Sequence, residues 1–184
     1  MKFSRIIFIA IALSIVISSC ISKEEKADIK QIETMLNESK SAHETLNGPL
    51  LDSVKAYLDS SKMSLEYFKT HPEDTLPIEA ETYWQAYYHM ISVEKMLGNF
   101  KDKHLPQINK DLELLQTQLT NLQHDIKKRL LEDSLRQEYI TREDSAYQFI
   151  MHQAEDRMKH SRAHFVKYGE NKADVKRLEE IMKD

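Results

Sequence analysis

From about Glu24 onward, apolar residues recur every three or four positions along most of the chain, the spacing of helices with one buried face. Between Glu24 and Asn47 the stripe is Ile29, Ile32, Leu36 and Leu46, with Ser39 and His43 on the same face. Asn47-Gly48-Pro49 sets residues suited to end one helix against a residue suited to open the next, so a stop and an immediate restart are expected. A second helix, Pro49 to Thr70, carries Leu51, Val54, Leu58, Leu65 and Phe68, with Tyr57 widening the face. Pro72 and Pro77 then mark a loop. The third helix, Ile78 to Lys103, has two adjacent stripes. Tyr83, Ala86, Met90, Val93, Leu97 and Phe100 form one; Trp84, Tyr87 and Ile91 form the other. Such a wide face suits a helix with neighbours on two sides.

Beyond Pro106 no glycine or proline occurs until Gly169. Ile108, Leu112, Leu115, Leu119, Leu122 and Ile126 form a regular seam, Arg129 and Asp133 interrupt it, and Tyr147, Met151, Ala154, Met158, Phe165 and Tyr168 resume it. With no helix breaker, the pattern predicts one long coiled-coil-like helix over about 106–168. Its length would be roughly 95 Å, against roughly 35 Å for each of the others. That helix outruns its partners. Either it projects and pairs with another chain, or it breaks near Tyr139–Asp144, where Thr141 and Asp144 have capping-box spacing. A short tail helix with Val175, Leu178, Ile181 and Met182 is expected after Gly169. The fold class expected is all-α, an antiparallel helical bundle over 27–184.

Composition narrows the alternatives. The 184 residues include 3 glycines, 4 prolines and 1 cysteine, and 30% are charged. So few glycines leave little for β-hairpins or phosphate-cradling loops. A single cysteine excludes an intrachain disulfide and any CxxC site.

The first residues follow a different pattern. Lys2 and Arg5 precede an apolar run from Ile6 to Ile17, too short to span a bilayer, and Ser18-Ser19-Cys20 ends it. Ile17-Ser18-Ser19-Cys20 resembles the lipobox of bacterial lipoprotein precursors. The resemblance covers about twenty residues and implies a signal peptide over 1–19, a covalent lipid on Cys20 and a lipidated tether over 20–26. It also implies a membrane partner, reached through the lipid. No aspartate follows Cys20, so the pattern of inner-membrane retention is absent and the outer membrane of a Gram-negative bacterium is expected. Lys23-Glu24-Glu25 is similar to the acidic surface-export tethers of some such lipoproteins; equally, it suits the first turn of a helix.

Without Lys2 and Arg5, 24 basic residues face 30 acidic ones, and no basic patch stands out, which disfavours nucleic acid as a partner. The best polar group is His152, Asp156, His160 and His164, at four-residue spacing. Adjacent turns can present two imidazoles to Cu²⁺ or Zn²⁺, but four-residue steps drift, so His152 and His164 end about 120° apart around the axis. His43-Glu44 begins like HExxH but lacks the second histidine, and there is no Glu-x-x-His, Walker loop or CxxCH. No catalytic residue and no other cofactor is assigned, so a non-enzymatic role is expected. Of the neighbouring aromatics, Tyr88 and one of Tyr83 or Trp84 should be exposed and could form an interface. These readings point to a structural or protein-interaction role, with self-association or another protein as partner. A metal-binding envelope module is the alternative.

Overall fold

A computed structural model describes residues 21–70 and 80–181. It is an all-α bundle of five helices: α1 (Lys23–Thr45), α2 (Leu51–Thr70), α3 (Ala80–Asn99), α4 (Leu105–Lys128) and α5 (Asp133–Ile181). A π-helical turn over Leu46–Leu50 joins α1 to α2, and another over Phe100–His104 joins α3 to α4. The chain therefore makes three long arms: 23–70, 80–128 and 133–181. The third, with 49 residues, is about 73 Å long.

Side-chain pairs show how the arms align. Glu33 meets Gln123, His43 meets Glu113 and Asn47 meets Asn109, so each step forward on arm one is matched by an equal step back on arm two. These arms are antiparallel. Asp28 meets Arg136, Glu38 meets Tyr147 and Ser60 meets Tyr168, 108 or 109 residues apart each time, so arms one and three run parallel in constant register.

Two junctions fall where the sequence places them, and neither reverses the chain. At Asn47-Gly48-Pro49 the chain kinks, with Gly48 at φ −105° and ψ −108°, but does not turn back. At His104-Leu105-Pro106 it likewise continues. Proline lacks the N–H that an α-helix interior requires. Pro49 lies inside one π-helical turn, and Pro106 lies in the first turn of the helix that follows the other, so each lost bond falls where the helical register is shifting.

The long helix needs correcting. It is not continuous over 106–168 and does not break at Tyr139–Asp144. The chain reverses over Arg129–Glu132, and the longest helix is α5, which passes through Gly169 to Ile181 without a separate tail helix. Arg129 adopts the left-handed conformation (φ 56°, ψ 42°), the one non-glycine positive φ among the described residues. Its N–H bonds Ile126 O at 3.0 Å, and Leu130 N–H bonds Asp125 O at 2.9 Å. This is a Schellman ending with arginine where glycine is usual. The left-handed conformation costs an L-residue roughly 1–2 kcal/mol.

Helix begins inside the segment expected over 20–26. Ser22 accepts a bond from Glu25 N–H at 3.0 Å, and Glu25 accepts one from Ser22 N–H at 2.6 Å. That capping box fixes helix from Lys23, so Glu24 and Glu25 belong to the first turn of α1.

Arms one and two supply most of the core. In the half of the bundle containing α1, Ile32, Met35 and Leu36 pack with Leu115, Leu119, Leu122 and Ile126. In the other half, Val54, Leu58, Leu65 and Phe68 pack with Met90, Val93, Leu97 and Phe100. Of the buried core residues described, arm three contributes Ile140 and Tyr147 to the first group and Ala154 and Tyr168 to the second. Its half-buried Ile150, Met151, Met158 and Phe165 pack against these groups, and three polar residues are enclosed beside them: Arg136 is 4% exposed, Ser161 3% and Glu143 9%. Arg136 donates to Asp28 at 2.9 Å and to Asp133 at 2.5 Å, which holds the start of α5 against α1.

Candidate functional site

Three surface regions bring candidate groups together. The first is at the end remote from Lys23, where α2 meets α3. There Phe68 packs edge-on to Tyr87 at 5.9 Å between ring centroids. Trp84 lies 5.7 Å from both Tyr87 and Tyr88. Trp84 is 41% exposed and Tyr88 63%. The backbone of Tyr83 lies in α3, but its side chain is outside the described residues, as are Cys20 and the whole 1–19 segment.

The second region is a groove of about 540 Å³ between α1 and α5. Ala42, Met151 and Met158 give it apolar surface; Ser41, Glu38, Glu155 and His152 give it polar groups. Tyr147 donates its hydroxyl to Glu38 across the seam. Burial, then Glu38, Glu155 and Asp144, push the Tyr147 phenol up to about 12, so it stays a proton donor at every physiological pH.

The third region is a small cavity of about 80 Å³ beside the Phe100–His104 turn, lined by His104, His160 and His164 together with Arg157 and Met96. His160 Nδ1 lies 2.7 Å from the Asp156 carbonyl oxygen and 3.3 Å from its carboxylate. Burial lowers the His164 pKa, and Lys167, His160 and His89 lower it further. Burial also lowers His104, with Arg157 and Lys103 acting in the same sense, and lowers His89, assisted by Lys167. For His164, His104 and His89 these surroundings favour the neutral imidazole.

The structure therefore divides the proposed metal set. His160 and His164 share the small cavity, while His152 lines the α1–α5 groove. The helical drift around α5 causes the separation. Among the described residues no three His, Cys, Asp or Glu side chains converge to hold a metal ion. His104 entered the cavity from α4's end of another arm, a contact that spacing along one helix could not reveal.

No helix among the described residues is long and apolar enough to cross a membrane. Comparison with known protein families, curated proteins and solved structures finds no match, so a functional reading rests on this chain's own residues.

Proposed function

We propose that the chain is a lipid-anchored cell-envelope protein of the Gram-negative outer membrane, possessing a non-catalytic interaction role. Cys20 carries the lipid, and acyl burial of about 0.8 kcal/mol per CH₂ holds the bundle at the bilayer. The capping box at Ser22 and Glu25 starts the rigid rod two residues beyond that cysteine. The observation that carries the interaction role is the pair Trp84 and Tyr88, exposed at the opposite end of a rod about 70 Å long. An anchored rod holds this aromatic surface clear of the headgroups, where it meets proteins rather than its own membrane. Aromatic residues of this kind commonly anchor protein interfaces.

The test is in-cell photocrosslinking with p-benzoylphenylalanine at Tyr88. A discrete protein adduct is expected, and it should be lost when Trp84→Ala is added or when Cys20→Ser releases the protein from the membrane. No adduct from Tyr88, with adducts from an exposed control at Thr120, would contradict the reading.

A further inference from the structure

We infer that the Arg129–Glu132 turn is a hinge, and that the chain also forms a dimer in which each α5 packs on arms one and two of a second copy. In that form residues 105–181 become one continuous helix in each chain.

Four observations carry this. No glycine or proline lies between Pro106 and Gly169, so nothing in the local sequence obliges a reversal. The reversal that exists depends on Arg129 in a left-handed conformation, which a side chain disfavours and which a straight helix would relieve. Only four residues separate Lys128 from Asp133, and short strained connections are where domain swapping occurs. Finally, among the described residues α5 supplies fewer fully buried apolar side chains than either other arm, packing largely through half-buried ones such as Ile150, Met151, Met158 and Phe165. Glu143 is buried with its Oε2 atom lacking any hydrogen-bond partner, and Ser161 occupies a core position. Arms one and two keep their shared apolar seam with each other, so α5 is the arm that can be exchanged for an identical one.

The occupant is a second copy because the exchanged contacts are already complementary. An α5 from elsewhere meets the same Asp28, Glu38 and Ser60 through its own Arg136, Tyr147 and Tyr168. Opening exposes the apolar seam of arms one and two, and the partner's α5 covers it again, giving a closed two-fold assembly. The straightened hinge lies on the symmetry axis. The two cores then extend in opposite directions, and the assembly spans about twice the 73 Å of one arm.

Ser41 on α1 and Gln148 on α5 line one groove, so labels there read the α1–α5 contact directly. The full chain would be co-expressed as two differently tagged forms, Ser41→Cys and Gln148→Cys, and treated with a short bismaleimide in intact membranes. Interchain product between the two forms is expected, and neither form alone should give it. Arg129→Gly, which makes the turn easy, should cut the yield several-fold; Arg129→Ala, which favours straight helix, should raise it. Absence of interchain product in the Arg129→Ala background overturns the inference. So does a yield that neither substitution changes, since association would then not use the hinge. The readout depends on residues 41 and 148 rather than on Tyr88 crosslinking, so it fails or succeeds separately from the proposed docking surface.

Discussion

Arg136 shows how a single side chain can decide the position of a helix. It is enclosed beneath the start of α5, and its charge is balanced by Asp28 and Asp133. Removing it leaves Asp28, itself mostly buried, without its cation. Arg136→Ala should therefore destabilise the bundle by about 3–5 kcal/mol in urea unfolding, whereas Lys69→Ala, which breaks an exposed pair with Glu66, should cost under about 1 kcal/mol. Glu143 gives a pH signature. Burial raises its pKa above the ordinary 4.5, only partly countered by Arg142. A raised carboxyl binds more protons folded than unfolded, so its stabilising effect is complete below pH 4.5 and is lost as pH rises through its folded value. The opposite sign applies to His89, His104 and His164. Their lowered pKa values leave stability intact above pH 6.5 and erode it as the medium acidifies. Unfolding midpoints measured from pH 4 to 8 should show Glu143→Gln flattening the decline between pH 4.5 and neutrality. A His104→Gln, His164→Gln double variant should lose less stability than wild type between pH 6.5 and 5. None of these burials could be read from the sequence. Arg136 and Glu143 sit on a helix whose polar residues all look alike until neighbouring arms enclose some of them.

At the level of elements, the apolar spacing located the first three helices but ran α4 and the first part of α5 together and set the rest of α5 apart as a tail helix. The boundaries at Gly48 and Pro106 fall where the sequence places them, but each is a π-helical turn that keeps the chain's direction, so four helices form two arms. The error lies at Arg129. Its charge and that of Asp133 interrupt the seam, yet with no glycine to mark the place the pattern reads as one continuous helix, or as a break at Tyr139–Asp144. A Schellman ending built on arginine leaves little local sequence signal; what fixes it is the tertiary gain when α5 folds back on α1 and α4. Two substitutions test these ends. Ser22→Ala should cost about 1 kcal/mol and speed amide exchange in the first turn of α1, leaving α4 unchanged. Arg129→Gly should stabilise the folded-back monomer by about 1 kcal/mol in thermal unfolding, despite losing the 3.6 Å pair with Glu25.

At the scale of the whole molecule, the bundle is a rod whose two ends differ. One end gathers the capping box, the Arg136 network and the α4–α5 turn; the other gathers the exposed aromatics. The all-α class was legible because periodicity reports which face is buried. The three-arm arrangement was not, since it depends on register between arms, fixed by contacts such as Asn47 with Asn109 and Ser60 with Tyr168. The histidine group fared similarly: one helix suggested four ligands, while packing sent His152 to a groove and brought His104 to a cavity. The account of function turns on Cys20, because anchorage there is what makes the far end a surface held away from the bilayer. Radiolabelled palmitate fed to cells expressing the full chain measures this directly. The account predicts label on the wild-type protein and none on Cys20→Ser. Label retained by Cys20→Ser, or absent from both, would contradict it.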